Sequence, residues 1–246
     1  MTATENAVLI TGAARRLGAE IARSMHQSGF AVALHYRESV TDVQHLCEEL
    51  NQVRPDSASV HGCDLASLDD LRILALDVVH RFPGLNALVN NASTFYPTPV
   101  DSTSETDWDH LFAVNLKAPY FLAQALTPTL RKNRGCIINL VDIYAERPLA
   151  DHPVYCATKA GLVSVTRSLA QDLAPEIRVN AVAPGAILWP ESGVEESTQN
   201  TLLKRVPLAT TGTPADIAAT VRFLTHEAAY ITGQVIAVDG GRSTMP

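Results

Sequence analysis

No stretch of the 246-residue sequence is apolar for long enough to cross a bilayer, which requires about 20 consecutive apolar residues. The first seven residues, MTATENA, are polar and have no basic flank, so we expect a frayed terminus rather than a signal peptide. Positive charge is also scarce, with 19 Lys and Arg against 26 Asp and Glu and a net charge of −7. Nucleic-acid binding requires a basic surface that releases counterions. The sequence therefore favours a protein that binds neither membranes nor nucleic acid.

Cysteine is limited to four residues, and no two of them form a CxxC pair. A chain of this length and apolar content does not need disulfides, so we expect reduced thiols and a cytoplasmic location. The histidines are scattered without the spacing of metal ligands, and we expect no metal site.

Hydrophobic residues make up 46% of the sequence and charged residues 18%, which is typical of a compact globular protein. Domains of the α/β class often reach about 250 residues as one unit. We therefore expect a single domain over residues 8–246, preceded by a frayed segment at residues 1–7.

Short β-branched runs alternate with longer helical patterns along the whole chain. The predicted strands are continuous apolar runs, as expected when both faces of a parallel sheet are covered. The sequence thus predicts an α/β fold, a doubly wound parallel sheet with helices on both faces. Strands are expected at residues 8–10, 31–35, 58–61, 87–89, 136–141, 178–182 and 235–238, and helices at 19–27, 41–51, 68–81, 108–131, 154–173 and 214–225. The polar segment 189–203 is either a lid or a surface insertion.

The first predicted strand runs into a turn that begins at Thr11-Gly12 and ends at Gly18, where a helix starts. Glycine permits close backbone approach, and a helix N-terminus offers free N–H groups, so this turn suits a pyrophosphate. The literal GxGxxG motif is absent because Arg16 occupies its middle position. A helix cap with two surface arginines is the alternative interpretation.

The end of the second strand distinguishes the two nicotinamide dinucleotides, because an acidic residue there binds the ribose 2′-hydroxyl of NAD and a basic one the 2′-phosphate of NADP. This sequence has Tyr36-Arg37-Glu38-Ser39. Arg37 and Ser39 favour NADPH, provided that Glu38 points away. Farther along, Asp64-Leu65 suits an adenine contact, and Asn91-Ala92 suits packing around the cofactor.

Tyr155 and Lys159 are four residues apart at the start of a predicted helix and therefore share one helix face. The Lys159 ammonium is expected to lower the pKa of Tyr155, which makes the phenol a better acid for the group that receives hydride. Taken alone, the pair also fits two surface residues.

Several short motifs occur in one order along the chain. They are TGxxxxxG after strand one, DL after strand three, NNA after strand four, Asn115, an acidic residue after strand five, YxxxK, and Pro184-Gly185. From Val8 to Gly241, this order and spacing resemble the short-chain dehydrogenase/reductase family. The resemblance implies a single Rossmann domain in which these residues contact the cofactor: Gly12, Arg16, Leu17, Gly18, Tyr36, Arg37, Ser39, Asp64, Leu65, Asn91, Ala92, Ser93, Tyr155, Lys159, Pro184, Gly185 and Ile187.

The same resemblance implies roles for the catalytic residues. Tyr155 would donate the proton, and Lys159 would also bind the nicotinamide ribose. Asn115 would bend its helix and hold a water linked to Lys159. The family resemblance further implies a homotetramer whose larger interface is formed by helices 108–131 and 154–173.

Two departures from the common family pattern resemble the pteridine reductases. Asp142 replaces the usual serine after strand five, and Arg16 gives the turn TGxxxRxG; residues 90–99 are similar as well. The implied activity is NADPH-dependent reduction of a pterin ring C=N bond, with biopterin, monapterin or folate forms as substrates. In this interpretation Phe95 stacks on the pterin opposite the nicotinamide. Ser93 contacts the pterin edge, and Arg16 bridges pyrophosphate and pterin.

Asp142 next to Tyr155 is expected to act as a proton relay and to raise the pKa of the phenol, which opposes the effect of Lys159. Two alternatives remain at this point. One is a reductase of a carbonyl substrate such as a 3-oxoacyl thioester, against which Asp142 argues because an anion disfavours a developing oxyanion. The other is an NADPH-binding sensor without turnover, against which the intact Tyr155, Lys159 and Asn115 argue.

Overall fold

The computed structural model describes residues 6–188, 195, 199, 201 and 203–245. Seven parallel strands form one sheet in the order β3-β2-β1-β4-β5-β6-β7. The strands are β1 Ala7–Ile10, β2 Ala31–Tyr36, β3 Ala58–Gly62, β4 Leu85–Asn90, β5 Cys136–Leu140, β6 Arg178–Pro184 and β7 Val235–Val238. The helices of the described residues are α1 Arg16–Gln27, α2 Val40–Val53, α3 Leu68–Arg81, α4 Glu105–Phe112, α5 Ala118–Lys132, α6 Pro153–Asp172 and α7 Pro214–His226.

Alternate residues of β1 pack into two separate layers of core. Val8 and Ile10 lie in one apolar cluster with residues of α1, α2 and α7. Ala7 and Leu9 lie in a second cluster with residues of α3 and α5. Because successive side chains of a strand point to opposite faces, these two clusters show that helices cover both sides of the sheet. The predicted doubly wound parallel sheet is confirmed.

The topology produces a crevice at one edge of the sheet. From β1 the chain builds outward through β2 and β3, and it then returns to place β4 on the other side of β1. The loops that follow β1 and β4 therefore diverge at the carboxyl ends of these strands. Ligands bind at such a switch point in open α/β sheets.

The predicted helix 108–131 differs most from the structure. It begins earlier, at Glu105, because Ser104 and Asp107 form a reciprocal capping box there. It is also interrupted by a π-helical turn, Ala113–Lys117, that separates α4 from α5. Periodicity alone does not show the extra residue that a π turn inserts into a helix.

The N-terminal bound also differs from the prediction. Ala7 was expected in the frayed segment, but it is the first residue of β1 and is fully buried. It pairs with Ala31 and Leu85, and these two neighbours hold it in the sheet. Most of the segment 189–203 lies outside the described residues. None of the described helices has the length and hydropathy of a membrane span.

Candidate active site

A first cavity of about 430 Å³ lies at the carboxyl ends of β1, β2, β3 and β4. It brings together most of the residues predicted to contact the adenine half of a dinucleotide. Its walls include Gly12, Arg16, Leu17, Gly18, Tyr36, Arg37, Ser39, Asp64, Leu65, Asn91, Ala92 and Ser93.

The turn after β1 is packed too tightly for side chains at two glycines. Gly12 has φ +62°, and a Cβ atom there would lie 3.0 Å from the Cα atom of Ala92. A Cβ atom at Gly18 would lie 2.2 Å from the carbonyl oxygen of Gly12. The first turn of α1 therefore rests directly on the loop that precedes it, which places the helix N-terminus at the cavity.

The His35 side chain accepts a hydrogen bond from the backbone of this turn and so supports it. The sequence did not predict this role. The Gly12 N–H donates to Nδ1 of His35 over 3.1 Å, and Nε2 of His35 lies 3.2 Å from the carbonyl oxygen of Cys63. Burial lowers the pKa of His35 to about 4, so the ring is neutral at pH 7. Nδ1 is then the acceptor and Nε2 the donor, and a protonated ring would lose the bond to Gly12. A polar residue inside the otherwise apolar β2 was the available signal.

Thr11 and Asn91 join the loops after β1 and β4. The Thr11 hydroxyl accepts from the N–H groups of Asn91 and Ala92 at 2.9 and 3.0 Å. The Asn91 amide donates to the carbonyl oxygens of Thr11 and Gly12 at 2.8 and 3.0 Å. These bonds fix the floor between the two loops. The sequence reasoning placed Asn91 here but assigned no role to Thr11.

The end of β2 carries Arg37, Glu38 and Ser39 at the rim of the first cavity. Glu38, which weakens the NADPH prediction unless it points away, stays beside Arg37. Its carboxylate accepts from the Arg37 guanidinium over 2.8 Å, and both side chains are exposed. An exposed ion pair of this kind is weak, so an anionic ligand can compete for Arg37.

A second cavity of about 430 Å³ continues from the first toward β5 and β6. Arg16, Leu17, Asn91 and Ser93 line both cavities, so the two form one cleft. The second cavity adds the predicted residues Asp142, Tyr155, Lys159, Pro184, Gly185 and Ile187.

Three side chains converge on the floor of this second cavity. Asp142 follows β5, and Tyr155 and Lys159 share the buried face of α6. The Tyr155 hydroxyl donates to Oδ2 of Asp142 over 2.8 Å, and the Tyr144 N–H donates to Oδ1 over 2.9 Å. Nζ of Lys159 donates to the carbonyl oxygen of Leu140 over 2.9 Å and lies 5.6 Å from the centroid of the Tyr155 ring.

Burial dominates the acid–base properties of these groups. It raises the pKa of Tyr155, and the neighbouring Asp142 carboxylate raises it further. Burial also raises the pKa of Asp142, against the opposing effects of its hydrogen bonds and of Lys159. Burial lowers the pKa of Lys159 to about 8, so its ammonium is still largely protonated at pH 7. The expected lowering of the Tyr155 pKa by Lys159 is outweighed, because burial and the Asp142 carboxylate both act in the opposite direction, as expected for Asp142.

Asn115 lies in the π turn, where it is buried and anchors the loop after β4. Its Oδ1 accepts from the Thr94 N–H at 2.8 Å and from the Ser93 hydroxyl at 3.1 Å. Its Nδ2 donates to the carbonyl oxygen of Thr94 at 2.9 Å. The bonds position Ser93 beside Tyr155. A water link from Asn115 to Lys159 stays a prediction.

Phe95 differs from its predicted arrangement. Its ring stacks on His152, with centroids 4.5 Å apart and an interplanar angle of 11°, and meets the edge of Tyr155 at 4.8 Å. The described walls of the two cavities do not include Phe95. Its ring is about half exposed, and stacking on His152 covers one face that would otherwise contact water. A pterin would have to use the other face or displace His152.

A switch-point cleft with a tyrosine, a lysine and a carboxylate at its inner end defines a dinucleotide-binding oxidoreductase. A family model described as enoyl-(acyl carrier protein) reductase matches residues 12–243. The chain belongs to the short-chain dehydrogenase/reductase family, whose members are oxidoreductases that use NAD(P)H.

Curated relatives with different activities are similar to the chain to nearly the same degree. A 3-oxoacyl-[acyl-carrier-protein] reductase of Staphylococcus aureus is 36% identical over 95% of this chain and 96% of the relative. Pteridine reductase 1 of Leishmania tarentolae is 36% identical over 98% of this chain and 97% of the relative. Nodulation protein G of a Rhizobium species is 34% identical over 97% of both chains. The overall sequence identity therefore shows the family but does not distinguish between substrates. The substrate must be inferred from the residues of the site.

Proposed function

We propose that this protein is an NADPH-dependent pteridine reductase that transfers hydride to a ring C=N bond of a dihydropterin, biopterin or dihydrofolate. The observation that carries the proposal is the hydrogen bond of 2.8 Å from the Tyr155 hydroxyl to the Asp142 carboxylate. A carbonyl reductase needs donors around a developing oxyanion, and a carboxylate at that place disfavours the charge. Reduction of C=N instead delivers a proton to nitrogen, for which a carboxyl–phenol pair is suited.

The cleft fits a nicotinamide dinucleotide, which supplies the hydride when bound. The α1 N-terminus and the Gly12–Gly18 turn line the first cavity and would hold the pyrophosphate, while Asp64 and Leu65 would hold the adenine. Arg37 and Ser39 line the same cavity after β2 and would contact the ribose 2′-phosphate, which supports NADPH within a proposed NADP-binding domain of residues 8–246.

The residues of the second cavity are assigned proton transfer, charge stabilisation and substrate contacts. Tyr155 donates its proton to the ring nitrogen as the neighbouring carbon accepts hydride. Asp142 accepts the Tyr155 hydroxyl as a carboxylate, and burial raises its pKa, so it is suited to take up a proton from solvent and pass it to the Tyr155 phenolate. The Lys159 ammonium lies beside the Tyr155 ring, and its positive charge stabilises the phenolate that forms when Tyr155 gives up its proton. Arg16 and Ser93 line both cavities, so Arg16 would contact pyrophosphate and pterin together and Ser93 would contact the pterin edge.

Reduction of a 3-oxoacyl thioester is the second candidate, because the Staphylococcus aureus relative with that name is 36% identical over nearly its whole length. An NADPH-binding sensor without turnover is a candidate of another class. The buried set of Tyr155, Lys159 and Asn115 argues against it, since simple binding does not require a proton donor.

Asp142→Ser distinguishes the two enzymatic candidates. For a pterin we expect kcat to fall by about 100-fold, because the relay loses its carboxyl group. The measurement is NADPH consumption with dihydrobiopterin, dihydrofolate and acetoacetyl thioester, for the wild type and the variant side by side. Unchanged pterin turnover in the variant contradicts the relay, and wild-type turnover of the thioester alone contradicts the pteridine assignment.

Arg37→Ala tests the choice of NADPH. We expect the KM for NADPH to rise about tenfold, since one charge-assisted hydrogen bond to the 2′-phosphate is lost. The KM for NADH should change little, because NADH has no phosphate there. Arg72→Ala, which removes an exposed arginine of α3 that pairs with Asp69, is the matched control. Equal changes for NADH and NADPH would exclude Arg37 as the phosphate contact.

A cytoplasmic homotetramer is part of the same proposal. The faces of α4 and α5 expose aromatic side chains, with Trp108 47% and Tyr120 40% accessible. Trp108 stacks on Phe112 at 4.7 Å, and a groove beside it is lined by Leu116, Phe121 and Val165. An apolar patch of this kind on a protein of net charge −7 supports contact with a second copy.

A further inference from the structure

Arg242 lines the second cavity but has no part in the chemistry proposed above. It begins a short 3₁₀ helix, Arg242–Thr244, that follows β7. Its guanidinium lies 5.4 Å from the centroid of the Tyr144 ring, over the ring face. The chain therefore places a second arginine at the cleft, separate from Arg16.

The segment that carries Arg242 is held firmly. Asp239 accepts from the N–H groups of Gly241 and Ser243 at 2.9 and 2.6 Å, one bond to each carboxylate oxygen. Gly241 turns the chain with φ +86°, and Arg147 donates to the carbonyl oxygen of Met245. Because the backbone on both sides of Arg242 is already held, the segment loses little further backbone entropy when Arg242 binds a ligand.

The cavity has a buried floor and a more exposed rim. Asp142, Tyr155 and Lys159 form the floor, and Lys159 is only 2% exposed. Tyr144, Leu188, Thr211 and Arg242 form the rim, where Leu188 is 41% exposed. A substrate whose reacting ring reaches the floor must extend its substituent past this rim.

The charges around Arg242 leave its donors available to a ligand. The Arg242 guanidinium contacts the aromatic face of Tyr144. Among the residues that the structure describes, no carboxylate forms a salt bridge with Arg242. The positive charge of Arg242 acts on Asp142 and favours its carboxylate form, but the hydrogen bonds of that carboxylate are to Tyr155 and Tyr144. The forked donors of a guanidinium match the two oxygens of a carboxylate.

We propose that Arg242 is a specificity-determining residue that binds a carboxylate on the substrate's substituent, so that the protein prefers a folate-type pterin with an acidic tail over a neutral biopterin. This inference rests on the proposed function and names the substrate class within it. The ring of Tyr144 orients the guanidinium, and the short 3₁₀ helix presents it at the rim.

Arg242→Met tests the inference in the presence of NADPH. We expect the KM for dihydrofolate to rise about tenfold with kcat nearly unchanged, as for loss of one charge-assisted contact. The KM for dihydrobiopterin should stay within about twofold, since that substrate has no carboxylate. Arg242→Lys should recover part of the dihydrofolate affinity because it keeps the charge. Arg72→Met is the control for removal of an exposed arginine that is not among the residues lining the two cavities.

The outcomes separate this inference from the proposed function. If the wild type reduces neither pterin, the proposed function fails before the variant is compared. If the wild type reduces both and Arg242→Met changes their KM values equally, the carboxylate assignment fails alone. A change in kcat and in its pH profile for both substrates would instead assign Arg242 to the electrostatics of Asp142. Folate binding to the NADPH complex, followed by quenching of protein fluorescence, should weaken in parallel with KM.

Discussion

Tyr155→Phe is expected to lower kcat for pterin reduction by about 10²- to 10⁴-fold, the range for loss of a positioned general acid. The hydroxyl is the group of Tyr155 that bonds to Asp142, while the ring packs against Phe95. The substitution keeps the ring and removes only the oxygen, so the fold and the cofactor turn should be unaffected. Steady-state NADPH consumption measures kcat, and titration of NADPH emission measures the affinity that should persist.

Tyr230→Phe is the matched control, because this residue is fully exposed and is not among the residues that line the two cavities. It should leave both kcat and NADPH affinity at the wild-type level. If Tyr155→Phe retained a tenth or more of the turnover, the proton would have to come from another group. Loss of NADPH binding together with turnover would assign Tyr155 a structural role instead.

Gly18→Ala is expected to weaken NADPH binding by about 10- to 100-fold, corresponding to about 1–3 kcal/mol of overpacking. The added methyl group would lie 2.2 Å from the Gly12 carbonyl oxygen and 2.8 Å from Nδ2 of Asn91. Backbone atoms of a tight turn cannot move aside as the end of a side chain can. Either α1 or the loop must shift, and the N–H groups that face the first cavity, where we propose the pyrophosphate binds, shift with it. The dissociation constant of NADPH and the Tm are the two measurements.

Gly29→Ala separates the effect on the turn from a general loss of stability. Gly29 follows α1 with φ +92°, but a Cβ atom there meets nothing within 4 Å. We expect a loss of about 1–2 kcal/mol from the left-handed backbone, with NADPH affinity retained. If both variants lost stability equally and both kept NADPH affinity, the close packing of Gly18 on Gly12 would have no role in binding.

The layers of the fold followed from local patterns in the sequence. The apolar runs at β1, β4 and β5 indicated strands covered on both faces, and the alternation with helices indicated a parallel sheet. The same reasoning missed the π turn at Ala113–Lys117, because a helical period does not reveal one inserted residue. It also placed Ala7 outside the sheet, since a single alanine has no strand signal of its own.

The sequence could predict that two residues of the candidate site lie together when they are close in sequence or directly follow a strand. Tyr155 and Lys159 share a helix face at a spacing of four, and Asp142 follows β5. The arrangement of Phe95 on His152 was not predictable, because these residues are 57 positions apart and meet only through packing. The pairing of Glu38 with Arg37 also depends on side-chain directions that the sequence does not show.

The sequence by itself determined the doubly wound sheet, the turn before α1 and the candidate residues for the proposed chemistry, because these depend on short-range periodicity and on residue type. The tertiary structure alone decided the acid–base state of the site, since burial acts on Tyr155, Asp142 and Lys159 only after the layers close over them. It also decided that His35 supports Gly12 and that Arg242 reaches the rim of the cleft. Both contacts join distant parts of the chain, and only the packing of the sheet and its loops brings them together.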